Sequence, residues 1–219
     1  MDVDGNVIAS PRRRSVAAFS STLGDVENYV ALKAKAEGGD ETVAAELFMA
    51  ELDLNKLDQQ VARARYGELK NLSEVEAKSI EARLTAMEIP GMLAKAQSLM
   101  AAANWVEAST AYKAIVEIAP DNANAWFNLG YSLHAQGKLD EALVAHQKAA
   151  AMPGPNQVLG MYNTACAYAL KGEKDKAFEW LQKTAEAGYK DTAQLDGDSD
   201  MDSLRDDPRY AKIIALMKR

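Results

Sequence analysis

WFNLGYSLHAQGKLDEA, residues 126–142, is the stretch that decides the fold of this chain. A related stretch, MYNTACAYALKGEKDKA, occupies residues 161–177, so that Gly172 follows Gly137 by 35 residues. A weaker copy comes earlier, with Ala103 placed 34 residues before Gly137. A repeat of this length is typical of stacked helical hairpins, in which each unit packs on the next. The chain is therefore predicted to be an all-α array of antiparallel helical hairpins.

The residue types at equivalent positions fit pairs of closely packed helices. Gly137 and Gly172 stand where the first helix of a hairpin ends, because glycine readily adopts the left-handed conformation that closes a helix. The small residues that let two helices approach are Gly130, Ala142, Ala165 and Ala177. The large residues that fill the space between hairpins are Tyr112, Leu133, Tyr168 and Leu181.

These spacings resemble the tetratricopeptide repeat, whose consensus places Trp, Leu-Gly, Tyr, Ala, Phe, Ala and Pro at similar intervals. Three repeats are predicted, at about 89–122, 123–156 and 158–191. The middle repeat is the best match, although His146 stands where a large aromatic residue is usual. The resemblance implies a right-handed α-α superhelix, a tetratricopeptide-like solenoid that ends in a C-terminal capping helix.

Residues 24–88 are predicted to form helical pairs that precede the repeats. Asp40 is placed to cap the second of these helices. Ser73 and Glu76 form a capping box at the start of a later helix, since each side chain can bond the other residue's backbone N–H. Pro90-Gly91 is expected to break that helix before the repeats begin.

Two further capping signals lie within and after the repeats. Asn104 with Glu107 is predicted to be a capping box at the second helix of the first repeat. Residues 192–219 are predicted to be an acidic loop followed by the capping helix. Asp207 would be the N-cap of that helix and Pro208 would lie in its first turn.

Residues 1–23 are predicted to be an extension, either a turn with a short strand or a disordered segment. Within it, DVDGNVIA at 2–9 resembles the part of thioredoxin-like domains where one strand ends in an acidic turn and the next begins. A helix near 24–36 would then match the last helix of that domain. This resemblance implies an alternative function, the accessory C-terminal region of a thioredoxin-like redox protein whose Cys-x-x-Cys motif lies upstream of this chain.

Composition and charge argue against several classes of protein. The net charge of -7 and the pI of about 5.0 argue against a nucleic-acid surface, which needs clustered lysine and arginine. No run reaches the roughly 20 apolar residues that cross a bilayer. The apolar run that follows Arg12-Arg13-Arg14 is too short for a signal peptide. A cytoplasmic location is therefore expected.

Patterns that suggest metal or redox chemistry have plainer interpretations. Residues 196–202 contain four alternating aspartates, but Met201 replaces the glycine that a calcium loop requires. A solvated, helix-capping loop is predicted instead. His134 and His146 have no ligand at metal-binding spacing, and His146 is predicted to pack in the core. Cys166 is expected to be a buried small hydrophobe, and no cofactor or metal site is predicted.

No catalytic constellation is recognisable in the sequence. A glycine-rich phosphate loop, an HExxH motif and a Gly-x-Ser-x-Gly motif are all missing. Both histidines fall on the repeat lattice rather than beside a nucleophile. The chain is therefore predicted not to be an enzyme.

The resemblance implies a protein-interaction module that binds a peptide or helix of a partner protein through the concave face of the array. The first helices of the hairpins form that face, and the residues mapped onto it are Leu93, Gln97, Met100, Asn124, Phe127, Asn128, Tyr131, His134, Leu159, Tyr162, Asn163 and Ala169. Packing of Phe127 and Tyr162 between hairpins is the alternative interpretation. A carboxylate clamp for chaperone C-termini is not expected, since only Asn128 matches it. Homo-oligomerisation through the repeats is a third hypothesis that no sequence feature supports.

Overall fold

The computed structural model describes residues 16–218, and all regular secondary structure in that range is helical. The α-helices in this part of the chain are α1 (Val16–Glu37), α2 (Ala44–Asp53), α3 (Gln59–Glu68), α4 (Glu74–Ala101), α5 (Trp105–Ile118), α6 (Ala123–Ala135), α7 (Leu139–Ala151), α8 (Gln157–Leu170), α9 (Lys174–Glu186), α10 (Thr192–Gly197) and α11 (Pro208–Met217). Short 3₁₀ helices cover Glu41–Val43 and Ser199–Leu204. The predicted all-α fold of helical hairpins is confirmed.

The chain divides into two compact units, residues 1–88 and 89–219, and the boundary falls inside α4. In the first unit, Phe48 and Leu52 of α2 pack with Ile80 and Leu84 of α4 in a fully buried cluster. The predicted capping box opens α4, because the Ser73 backbone N–H donates to Glu76 Oε2 over 2.8 Å and the Glu76 N–H donates to Ser73 Oγ over 3.2 Å.

The N-terminal part of the first unit differs from the sequence prediction. The first helix begins at Val16 instead of at 24, so part of the predicted extension is helical. The predicted turn and strand at 2–9 lie outside the described residues. Asp40 caps the short 3₁₀ helix ahead of α2 by accepting a hydrogen bond from the Thr42 backbone N–H over 3.0 Å.

The expected break at Pro90-Gly91 was wrong, because α4 continues through both residues to Ala101. Proline removes one hydrogen-bond donor from a helix and its ring presses on the preceding turn. Here the helix is held by packing on both sides of Pro90, since Leu84 and Ala96 are both fully buried. Burial of these side chains outweighs the local preference of Pro90 and Gly91 to end the helix.

The second unit is a series of antiparallel hairpins in which α5 packs on α6, α6 on α7, α7 on α8 and α8 on α9. Gly137 and Gly172 end α6 and α8 with φ of 73° and 76°, as their spacing predicts. Ala103 takes the same left-handed conformation at the end of α4, with φ of 56°. The predicted capping box at α5 was wrong, because the Asn104 side chain makes no capping hydrogen bond.

The hairpin of α6 and α7 depends on the close approach of Gly130 to His146. A Cβ atom at Gly130 would lie 2.7 Å from Cε1 of the buried His146 ring and closer still to Nδ1. Real Cβ atoms do not come this near to a ring, so the helices could not keep this separation with any other residue at Gly130. Position 130 therefore requires glycine because the imidazole of His146 on α7 lies directly against it.

Replacing Ala103 with glycine is expected to raise the free energy of unfolding by about 0.5–1 kcal/mol. The left-handed conformation costs alanine about 1–2 kcal/mol, and part of the gain is lost to the greater freedom of glycine in the unfolded chain. Urea denaturation measures the change. The neighbouring Ala102→Gly variant is the control, because Ala102 does not have a positive φ, and should lose about 0.5–1 kcal/mol. Similar changes in both variants would contradict the explanation.

Replacing Gly130 with alanine is expected to lower the free energy of unfolding by about 1–3 kcal/mol, because the new methyl group overlaps the His146 ring. Gly91→Ala is the matched control, since a Cβ there meets no atom within 4 Å and helix propensity favours alanine by about 1 kcal/mol. The Gly130 effect should shrink by at least half in a His146→Ala background. An undiminished loss in that background would show that the ring is not the cause.

Candidate functional site

The outer side of α6 carries the most accessible part of the predicted binding face. Asn124 and Tyr131 are exposed, and Phe127 and Asn128 are half-buried. These residues lie three, four and seven positions apart and so share one side of the helix. The opposite side of α6 is buried in the hairpin core and includes Ala125, Leu129 and Leu133. We call the exposed side, residues 124, 127, 128 and 131, the α6 face.

An aromatic pair lies at one end of the α6 face. Tyr131 is 47 % exposed, and its ring meets Trp105 edge-on with the ring centroids 5.8 Å apart and an interplanar angle of 62°. Trp105 begins α5 and is itself only partly buried. It was missing from the predicted site, because no spacing in the sequence links it to Tyr131. Edge-on packing is a preferred arrangement of aromatic pairs, and here it leaves nearly half of Tyr131 exposed to solvent.

A pair of amides lies at the other end of the α6 face. The Asn128 side-chain NH₂ donates to both the backbone carbonyl and Oδ1 of Asn124, over 2.9 Å in each case. These bonds hold the two side chains in one orientation. The Asn128 Oδ1 atom and the Asn124 NH₂ group make no hydrogen bond within the described residues, so one acceptor and one donor remain available beside the aromatic pair.

The predicted residues on α4 contribute less surface. Leu93 and Met100 are partly buried and pack against the core of the second unit. Gln97 lies between them in the sequence and is exposed. The amphipathic pattern of α4 explains this division, because Ala96, the neighbour of Gln97, is fully buried.

On α8, the C-terminal segment (residues 198–204) covers part of the predicted face. Tyr162 is buried, its hydroxyl donates to Asp198 Oδ2 over 2.7 Å, and its ring stacks on Tyr189. Ala169 is also buried, and its carbonyl accepts a hydrogen bond from Ser203 Oγ over 3.3 Å. The two predicted residues of α8 that stay half-buried are Leu159 and Asn163. The alternative interpretation places Phe127 and Tyr162 between hairpins, and the structure buries Tyr162 against Asp198 and Tyr189.

The remaining predicted residue, His134, also contacts the C-terminal segment. Its Nε2 atom lies 3.1 Å from Asp200 Oδ2, although the sequence offered no carboxylate at ligand spacing. The rings of His134 and His146 meet edge-on with centroids 5.8 Å apart. His146 is fully buried, as predicted.

The four aspartates of residues 196–202 do not converge on one point. Asp196 accepts a hydrogen bond from the Tyr210 hydroxyl, and Asp202 pairs with Arg205 over 3.2 Å. Asp198 and Asp200 instead face α8 and α6, where their partners are Tyr162 and His134. The arrangement is not that of a calcium loop, and Asp198 caps the 3₁₀ helix by accepting from the Asp200 backbone N–H.

Burial governs the protonation of the polar groups beneath this segment. Burial raises the pKa of the Cys166 thiol well above its ordinary value, and the carboxylates of Asp198 and Asp200 raise it further. The thiol is therefore protonated at neutral pH and is not activated as a nucleophile. Burial also raises the pKa of Tyr162, with Cys166 and Asp198 adding to the shift. Burial, with a smaller contribution from the neighbouring His134, lowers the pKa of His146 to about 3.

Comparison with known proteins finds one family similarity in the middle of the chain. Residues 93–158 match the model of the tetratricopeptide repeat family. This stretch runs from the last turns of α4 to the start of α8 and is similar to that repeat. No curated protein matches the chain. A solved structure of MamA, residues 41 to the end, from Desulfovibrio magneticus RS-1 is 21% identical with a TM-score of 0.43 and covers 74% of this chain and 84% of that one.

Two other predictions concern the N-terminal edge and membrane-spanning helices. None of the comparisons supports the resemblance of the N-terminal edge to a thioredoxin-like domain. Among the helices of residues 16–218, none has the combination of length and apolar composition needed to span a bilayer.

The stability of the protein is expected to fall between pH 7 and pH 5 through His146. Its pKa is near 6.5 in the unfolded chain and about 3 in the folded one, so below pH 6.5 the unfolded state binds the proton and is favoured. This contribution is complete above pH 6.5 and is lost as the pH falls. Urea denaturation should show a loss up to about 2 kcal/mol larger than in a His146→Phe variant. Equal losses in the two proteins would contradict the assignment.

Proposed function

We propose that this protein is a non-catalytic interaction module that binds a peptide or a helix of a partner protein through the first helices of its hairpins. The observation that carries the proposal is the α6 face, where exposed Tyr131 is held against Trp105 beside an ordered pair of amides. The tetratricopeptide match of residues 93–158 supports it, because repeat arrays of this kind present extended binding surfaces.

The chemistry of the α6 face suits a polypeptide ligand. The free acceptor on Asn128 and the free donor on Asn124 can pair with the N–H and C=O groups of a bound backbone, as side chains do when they hold an extended peptide. The exposed ring of Tyr131 offers apolar area with few rotatable bonds, which limits the entropy lost on binding. We expect the bound segment to place an apolar side chain against Tyr131 and Trp105.

The proposed surface is narrower than the sequence prediction. It keeps Gln97 on α4 together with the α6 face, and it extends towards Asn163 on α8. Tyr162 and Ala169 are left out because the C-terminal segment covers them. A protein partner is favoured over a nucleic acid because the net charge is -7. We also infer a cytoplasmic location, as expected from the sequence.

A peptide selection on the purified chain tests the proposal. Peptides from a displayed library are selected on the immobilised protein, and their affinities are measured by fluorescence anisotropy. An Asn124→Ala/Asn128→Ala/Tyr131→Ala variant is expected to bind at least about tenfold more weakly, because three interface side chains are truncated. Circular dichroism should show an unchanged helix content, since none of the three side chains is buried.

A Val106→Ala/Val144→Ala variant is the matched control. These valines are 58% and 57% exposed, but they lie on α5 and α7, the second helices of the hairpins. Their truncation should leave the affinity within about twofold, as is usual for side chains outside an interface. If the selected peptides lose affinity only for the control variant, the binding surface lies on α5 and α7 and the proposal is wrong. A selection that yields no peptide would also contradict peptide binding.

A further inference from the structure

Three potential metal ligands converge where the C-terminal segment meets α8. The Cys166 thiol and the carboxylates of Asp198 and Asp200 each offer one ligand atom, and these three atoms all lie within 4.8 Å of one another. Cys166 is only 2% exposed, whereas both aspartates are half-buried and reach solvent. The cluster therefore combines a buried donor with an open side through which an ion can enter.

A fourth donor lies beside the cluster. Nε2 of His134 is shielded from solvent and lies 3.1 Å from Asp200 Oδ2, one of the ligand atoms of the cluster. Behind it, both ring nitrogens of fully buried His146 have no hydrogen-bond partner in the described part of the chain. Buried polar atoms are normally satisfied, so an imidazole in this state is unusual.

The charges of the cluster also favour a cation. The carboxylates of Asp198 and Asp200 repel one another unless a positive charge lies between them, and the neutral Cys166 thiol, 3.7 Å from Asp198 Oδ2, supplies none. The nearest guanidinium, Arg205, does not supply it. Its NH₂ group donates to the backbone carbonyl of Asp198 over 2.7 Å, and it pairs with the exposed carboxylate of Asp202. The side-chain oxygens of Asp198 and Asp200 are left facing Cys166 and His134.

We propose that Cys166, Asp198 and Asp200 bind one Zn²⁺ ion. The fourth ligand is Nε2 of His134, which already contacts Asp200. Sulfur, nitrogen and oxygen donors in a set of four suit zinc, whereas calcium and magnesium prefer oxygen alone. Zinc bonds of about 2.0–2.3 Å place tetrahedral ligands about 3.3–3.8 Å apart, so the three ligand atoms, which lie within 4.8 Å of one another, must draw closer and the His134 ring must move towards them. The thiol proton leaves to solvent when the Zn–S bond forms.

The surrounding residues fit an outer shell for such a site. The Tyr162 hydroxyl donates to Asp198 Oδ2 over 2.7 Å and would keep that carboxylate oriented while it binds the metal. The ligands come from α6, α8 and the 3₁₀ helix, which explains why spacing in the sequence gave no metal motif. This inference therefore differs from the prediction made from the sequence, which was that the chain has no metal site.

The test is zinc titration of the metal-stripped full chain by isothermal calorimetry, with Co²⁺ absorption as a second readout. The wild-type chain should bind one Zn²⁺, and Co²⁺ should show a thiolate charge-transfer band. Cys166→Ala, Asp200→Asn and His134→Gln should each weaken zinc binding at least about tenfold, a loss typical of damage to a metal site. Cys166→Ala should also abolish the cobalt band, and Ca²⁺ and Mg²⁺ should give no binding heat.

Asp202→Asn is the matched control, because Asp202 lies in the same 3₁₀ helix but points to solvent. Its zinc affinity should stay within twofold of the wild type. Circular dichroism of each metal-free variant distinguishes the loss of a metal ligand from the loss of the fold. Asp200→Asn is expected to disturb the fold least, because Asp200 is half-exposed. An absence of zinc binding by the wild type, a cobalt spectrum without a thiolate band, or an equal loss in Asp202→Asn would overturn the proposal.

Discussion

The contact between Gly130 and His146 sets the distance between α6 and α7, and the rest of the second unit depends on it. Without a side chain on Gly130 the two helices approach closely, and the imidazole fills the space that remains. This placement buries a titratable ring whose nitrogens have no hydrogen-bond partner among the described residues. The same contact therefore determines how tightly the hairpin packs.

The C-terminal segment closes the last hairpin and also brings polar groups against α6 and α8. Met201 and Leu204 are fully buried and complete the core beside α8 and α9, so the segment closes the apolar side of the last hairpin. Asp198 and Asp200 precede Met201 in the same segment and are directed at Tyr162, Cys166 and His134.

The hairpins could be predicted from the sequence because their signals are local. Gly137 and Gly172 adopt the left-handed conformation that their spacing implies, and Ala103 shows that the position is enforced even without glycine. The continuation of α4 through Pro90 could not be predicted, since burial on both sides decides it. The same holds for the site. The α6 face follows helical periodicity, but the bond between Tyr162 and Asp198 joins residues 36 positions apart, and no pattern indicates it.

The C-terminal segment and α11 cover the last hairpin, so this end of the repeat array has no free surface for another unit. A fourth hairpin would need the surface of α8 and α9 that the 3₁₀ helix and α11 now occupy. Lengthening the array by adding a unit after α9 would therefore expose Met201 and Leu204 and leave the new unit without a surface to stack on. A consensus unit inserted between α7 and α8 would keep the closing segment on its own hairpin. The Pro153-Gly154-Pro155 connector joins α7 to α8 and is thus the place where an extra repeat can be inserted.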